Sequence, residues 1–320
     1  MIDLVAEQTP LGGLERWLHD PDVQEVMVNA GEHVWVDRGG RLQHVGRMRT
    51  TTLLAVIERL LAPTGRRLDR AQPMVDARLS DGSRLCALIP PVSPDGPMLS
   101  VRRFAPRAVP LSGFAGPPVV ELLQQVVASR ANIVVSGATS SGKTTLLGAL
   151  GAHISIAERV VTLEDTAELR LAHPHVVRLE TRDATPDGVP AIALQHLLRT
   201  ALRLRPDRLV VGEIRGAEAV HLLHALNTGH DGSMATVHAN SAADAVARLG
   251  SLVVQATPNW PMVAVHDEIA RAIDVVVHLA RTSAGTRRVA EVAEVAAGAQ
   301  LRPLVDSSGA VCAPFTRGRA

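Results

Sequence analysis

Apolar runs interrupted by turn chemistry divide this chain into two patterns. In the first, the segments are short and mostly alternate polar with apolar positions. Leu14-Glu15-Arg16-Trp17-Leu18 has helical spacing and stops at Asp20-Pro21. Residues 25–29 and 33–37 alternate as half-buried strands do, with turns at Ala30-Gly31 and Arg38-Gly39-Gly40. Thr50 is placed to cap a helix through about Leu61. Residues 74–79 and 83–89 flank Ser80-Asp81-Gly82, a hairpin signal, and residues 98–104 form one more strand. Residues 1–105 therefore predict a small α/β domain. Pro106, Pro110, Pro117 and Pro118, with Gly113 and Gly116, mark a linker over 106–118. A helix then runs from about Val119 to Ser129.

Beyond residue 119 the second pattern takes over. Continuous apolar runs near 133–137, 160–164, 175–179, 208–212, 234–238 and 274–278 read as buried strands. Helical segments fall between them, near 143–153, 191–203, 216–226, 241–256 and 262–272. Strand–helix alternation with strands apolar on both faces predicts a mostly parallel sheet covered on both sides. Residues 287–295 read as an edge strand, and the tail after Arg302 as frayed. The expected fold class is α/β, with residues 119–320 as the larger domain.

Composition narrows the functional classes. Apolar residues make up 46 % of the 320 positions, but aromatics only 2 %, so the cores must be built from Leu, Val, Ala and Ile. The 33 basic and 32 acidic side chains leave a net charge of +1, which does not favour a nucleic-acid-binding surface. Cys86 and Cys312 lie far apart and in no metal-ligand spacing, which points to a reducing cytosol. No run approaches a membrane span and the N-terminus lacks a signal-peptide pattern, so a soluble or at most peripheral protein is expected.

The chemistry centres on Gly137-Ala138-Thr139-Ser140-Ser141-Gly142-Lys143-Thr144-Thr145, which follows the apolar run at 132–136 and opens a helix. Glycines let successive backbone N–H groups turn toward one phosphate chain, and the helix N-terminus adds partial positive charge. Lys143 is placed to reach β- and γ-phosphates, and the Thr144 hydroxyl to ligate Mg²⁺. The bare pattern arises by chance in about one chain in a hundred of this length, and the flanking strand and helix lower that further. Gly137, Thr139, Ser140, Ser141, Gly142, Lys143, Thr144 and Thr145 are thus the expected binding residues for a nucleoside triphosphate.

Further candidates stand at later strand ends, which a parallel sheet delivers to the same rim. Val160-Val161-Thr162-Leu163-Glu164-Asp165 ends in two carboxylates; Glu164 or Asp165 would polarise water or hold Mg²⁺, against a capping role for Asp165. Arg208-Leu209-Val210-Val211-Gly212-Glu213 resembles a Walker B strand, with Gly212 at the usual Asp position. Glu213 would act on the Mg²⁺ shell or on water, or else form an ion pair with Arg215. His238 ends the strand after Thr228-Gly229-His230-Asp231-Gly232-Ser233 and is placed to contact phosphate. Arg78, Arg84, Arg102 and Arg103 lie on or beside strands of the first domain, where an arginine would neutralise phosphate if that domain closes over the nucleotide.

These segments occur in one order and resemble the Walker A, Asp box, Walker B and His box of the type II/IV secretion traffic ATPases. The likeness is greatest to the CpaF-like tight-adherence (Tad) pilus branch, also found as conjugal-transfer-associated ATPases. It covers nearly the whole chain, since residues 75–84 and 100–104 are similar to that family's N-terminal domain. The resemblance implies a RecA-like ATPase domain, a PAS-like, sensor-type N-terminal domain and a mobile linker. It implies a homo-oligomeric ring, a hexamer, at the cytoplasmic face of the inner membrane, acting on a membrane platform protein. ATP and Mg²⁺ are the implied ligands, with ATP held between the domains and hydrolysis driving their closure. Glu164 and Glu213 share the water and metal roles, His238 is the His-box residue, and Arg84, Arg102 and then Arg78 are the phosphate-contacting arginines. Ala138 and Ser140 stand where the family often has Gly, and the family's long N-terminal extension is missing. A P-loop small-molecule kinase and a DNA-associated conjugal motor are the competing readings. The first requires an acceptor site; the second requires a basic, aromatic-bearing channel that the composition does not favour.

Overall fold

The computed structural model describes residues 2–3, 9–30, 32–103, 109–139, 141–182, 184, 188–282 and 285–319. The chain divides into two compact units, Met1–Arg107 and Ala108–Ala320.

The first unit comprises β1 (Ile2–Asp3), α1 (Glu15–Leu18), β2 (Val23–Asn29), β3 (His33–Arg38), β4 (Arg41–Arg47), α2 (Thr50–Leu61), β5 (Met74–Arg78), β6 (Arg84–Leu88) and β7 (Met98–Arg102). Its sheet runs β1-β4-β3-β2-β7-β6-β5 and is antiparallel apart from the β1–β4 pair. Alternation places Val26 and Val28 of β2, Val34 and Val36 of β3, and Leu99 and Val101 of β7 on one buried face. Leu53, Val56, Ile57 and Leu61 of α2 pack in the same core. One strand goes beyond the sequence reading and one expectation needs correction. β4 had no strand signal, because only Gly46 among its seven residues is buried; pairing with β3 makes the strand. Thr50 is the first helical residue rather than the cap, and the Glu32 carboxylate accepts its backbone N–H at 3.0 Å. Phe104 and Gly31 lie outside the described residues.

The second unit comprises α3 (Pro117–Ala128), β8 (Ile133–Gly137), α4 (Lys143–Gly151), β9 (Val160–Glu164), β10 (Val176–Glu180), α5 (Leu194–Ala201), β11 (Arg208–Ile214), α6 (Glu218–Leu226), β12 (Met234–His238), α7 (Ala242–Ala256), α8 (Met262–Ala272), β13 (Val275–Arg281), β14 (Arg287–Val295) and β15 (Leu301–Val305). The sheet order is β10-β9-β11-β12-β8-β13-β14-β15, parallel as far as β13 and antiparallel for the last two strands. β8 and β9 are buried at every position, which explains their unbroken apolar runs. One core packs α5, α6, α7 and α8 against one face; the other packs α3 and α4 against the opposite face.

Three boundaries differ from the sequence reading. The stretch drawn as a linker is partly built into the second unit: Leu111 and Phe114 are buried in its core, and the Phe114 carbonyl accepts the Val289 N–H. β14 is not the edge, because β15 pairs beyond it. The tail is anchored rather than frayed: Arg317 and Arg319 reach Asp274, and Thr316 bonds Glu294.

Candidate active site

β8 and α4 flank the glycine-containing loop where the sequence pattern puts a strand and a helix. Gly137 ends β8, and its missing side chain matters: a Cβ there would stand 2.6 Å from both the Leu279 carbonyl oxygen and Ser141 Oγ. Gly142 caps α4 with φ +101°, a left-handed conformation that disfavours any side chain. Lys143 is buried, and its ammonium donates to the Gly137 and Ala138 carbonyls at 3.1 Å each. Ser141 is buried and its Oγ has no hydrogen-bond partner among the described residues. Thr144 and Thr145 are half-buried in the first turn of α4, and Thr139 is exposed on the loop. Ser140 lies outside the described residues.

The parallel register brings two other candidates to this rim. His238 aligns with Gly137 across β12 and β8, is exposed, and has Nδ1 3.5 Å from Thr139 Oγ1. Glu164 ends β9 and is buried, with its Oε2 accepting the backbone N–H groups of Glu168 and Leu169 at 2.8 Å. Its Oε1 has no hydrogen-bond partner among the described residues. Burial pushes this carboxyl up to about 7, against the two N–H bonds and the Arg178 charge, which pull it down. An acid poised near neutrality with one unsatisfied oxygen suits proton abstraction from water.

Glu213 differs in kind. It is half-buried at the end of β11, where the register with β12 slips between Val211 and Ile214. Such a bulge re-aims a side chain at a strand end. The ion pair allowed by spacing is present: Arg215 Nη2 lies 2.6 Å from Glu213 Oε2, and Arg215 Nη1 lies 3.4 Å from Asp165. The departure at Gly212 has a steric cause that sequence reading missed. A Cβ at Gly212 would stand 2.9 Å from Glu164 Cγ, so the bare glycine makes room for the buried carboxylate on the next strand.

In the first unit, Arg78 is in register with Arg84 and Arg84 with Arg102, so three arginines share one face of β5, β6 and β7. Like charges directly opposite one another are unfavourable. Arg103 instead donates to the Asp20 and Val23 carbonyls and is built into the local fold. Behind the P-loop, His278 Nδ1 lies 3.0 Å from Ser136 Oγ, and burial holds its pKa below the ordinary value despite Glu291 and Asp244.

The donors fit a magnesium ion delivered with phosphate better than an all-protein cage. Glu164 Oε1 is an unsatisfied oxygen on the same rim as the Thr144 hydroxyl. No three His, Cys, Asp or Glu side chains converge among the described residues.

Comparison with known proteins gives the family. Residues 7–320 match the family described as type II/IV secretion system protein. The chain belongs to that family. It is 42 % identical over 304 residues to a Mycobacterium tuberculosis protein provisionally named for conjugal transfer, covering 91 % of this chain and 86 % of that one. It is 34 % identical over 316 residues to the type IV secretion system protein PtlH of Bordetella pertussis, covering 87 % and 91 %. The X-ray structure of the Legionella pneumophila ATPase DotB shares the fold, with a TM-score of 0.64 at 21 % identity over 91 % of this chain and 83 % of that one. Among the described residues, no helix is long and apolar enough to cross a membrane.

Proposed function

We propose that this chain hydrolyses ATP to drive a secretion or conjugal-transfer machine, with the second unit as a RecA-like motor domain. The observation that carries this is the conjunction at one sheet rim of Lys143 at the N-terminus of α4 and a buried carboxylate, Glu164, with an unsatisfied oxygen. On nucleotide binding, the Lys143 ammonium exchanges its two loop carbonyls for β- and γ-phosphate oxygens. The Thr144 hydroxyl would hold Mg²⁺, which when bound would supply charge neutralisation at the phosphates. Glu164 in its ionised form takes the proton of the attacking water. Glu213, held by Arg215, would help to hold the metal, and His238 would contact the γ-phosphate. Arg78, Arg84 and Arg102 are the candidate phosphate contacts that nucleotide-dependent closure of the first unit would bring into use. Motion of that kind, repeated around a homo-oligomeric ring, is the mechanical output. The names of the relatives favour a type IV secretion or conjugal-transfer machine over a tight-adherence pilus, with placement at the cytoplasmic face of a membrane through a partner.

The test is ATP turnover by the purified chain, read beside light scattering with and without a non-hydrolysable analogue and Mg²⁺. Nucleotide-promoted assembly and acceptor-independent turnover are expected. Lys143→Ala should lower turnover on the order of 100-fold or more by removing the phosphate contact. Undiminished turnover in that variant would sink the P-loop assignment. Glu213→Gln should slow hydrolysis less than Glu164→Gln; the reverse order would transfer the base to Glu213.

A further inference from the structure

The hairpin of β13 and β14 runs beside the P-loop. Leu279 is in register with Gly137, and Arg281 faces Arg287 across the hairpin. Arg287 thereby comes to rest against Gly142. A Cβ built on Gly142 would stand 2.8 Å from Arg287 Cδ, 3.3 Å from Nε and 3.4 Å from Nη1. The glycine at the mouth of α4 therefore serves two purposes: it tolerates φ +101°, and it leaves space for an arginine 145 positions later.

Electrostatically this is an odd place for a guanidinium. The N-terminus of a nine-residue helix carries partial positive charge, and Lys143 already adds a full one. Whatever partners Arg287 keeps within the chain, its guanidinium adds to the positive potential that an anion at the mouth of α4 would meet. The buried Ser141 Oγ, without a partner and lying in the loop against Gly137, is an independent sign of a group that completes this cradle. Sheet order says which part of that group Arg287 meets. β8 separates β13 and β14 from β12, β11 and β9, so Arg287 stands on the side of the loop away from Glu164 and Glu213.

Building on the proposed nucleotide site, we infer that Arg287 is a nucleotide-binding residue that holds the diphosphate common to ADP and ATP. It acts together with the Lys143 ammonium and the α4 N-terminus, and it serves affinity rather than the attack on the γ-phosphate.

Calorimetric titration with ADP and with AMP-PNP tests this directly. Arg287→Gln should weaken both ligands about tenfold, as expected for one charge-assisted contact, and raise KM more than it lowers kcat. Arg287→Lys should recover part of the affinity, since it keeps the charge but loses the planar fork. Arg288→Gln, whose arginine bonds the Ser307 carbonyl on the same strand, should match wild type. Arg287 variants that bind both ligands like wild type would overturn the inference. Loss of AMP-PNP affinity alone would overturn the diphosphate assignment. A wild-type chain that binds neither ligand would overturn the nucleotide site itself and the inference with it.

Discussion

At one rim of the larger sheet Arg208 rests against Gly232, where a Cβ would fall 2.8 Å from the guanidinium carbon; at the other rim Arg287 rests against Gly142 in the same manner. The neighbours differ. Arg208 is 2 % exposed and bonds both oxygens of Glu158, at 2.7 and 2.8 Å, and the Val127 carbonyl. Burial alone would raise the Glu158 carboxyl, but the Arg208 and Arg130 guanidiniums outweigh it and hold it below the ordinary range. On the same rim the fully buried Asp274 accepts Arg317, Arg319 and the Asn132 N–H. The strand starts are thus tied together by two acids, Glu158 half-buried and Asp274 buried, whose partners lie within the chain. The strand ends carry Glu164 Oε1 and Ser141 Oγ, which have no hydrogen-bond partner among the described residues. One rim is finished by contacts within the chain, whereas the other keeps polar oxygens that no described residue meets.

The contrast fails if substitutions at the finished rim do not act on stability. Arg208→Ala strands a part-buried Glu158 and should cost about 3–5 kcal/mol, read as the shift of a urea midpoint. A loss no larger than that of an ordinary surface change would mean that this rim is not what holds the strands.

At the unfinished rim the next largest effect depends on pH. Burial raises the Glu164 carboxyl from 4.5 to about 7, so the folded state holds this proton more tightly than the unfolded chain. Its contribution to stability is full below 4.5 and is lost as pH rises through about 7. Across that window the wild type should lose on the order of 3 kcal/mol from this group, and Glu164→Gln should flatten the loss. Turnover in that variant should fall on the order of 100-fold. Parallel stability profiles for the two proteins would show that Glu164 is not a carboxyl held protonated by burial.

Gly212→Ala sharpens the comparison further. Its Cβ would press on Glu164 Cγ at 2.9 Å, so it should cost about 1–3 kcal/mol and lower turnover by displacing the carboxylate. Unchanged turnover would separate the position of Glu164 from its function. Smallest of all, Arg215→Ala removes an exposed partner of Glu213 and should change stability by less than about 1 kcal/mol by chemical denaturation. A larger loss would place Arg215 with the finished rim.

Much of this was legible from residue order. β9, β12 and α8 lie where the apolar runs placed them, because a strand buried on both faces or an amphipathic helix declares itself locally. The P-loop was equally plain, since its geometry is made by adjacent residues. What escaped notice depends on contacts between distant positions. β4 is a strand because β3 offers it a ladder, not because Arg41–Arg47 looks like one. Gly212 stood out as a departure, but its reason is a side chain on the neighbouring strand. Arg287 gave no signal in sequence, since only the hairpin carries it to the loop. The anchoring of Arg317 and Arg319 was hidden for the same reason: Pro, Ser and Gly around them mimic a loose end.

That anchoring sets a timetable for the ribosome. β8 needs Asp274 to hold Asn132 at its start, and Asp274 needs Arg319. The arginine is synthesised about 180 residues after the P-loop, a lag of roughly 10–40 s at ordinary elongation rates. During that interval the nascent strand and its glycine loop have no finished neighbour on the β13 side. A chaperone that masks apolar β8 while the rest is translated would therefore protect the second unit at its most vulnerable stage of biogenesis.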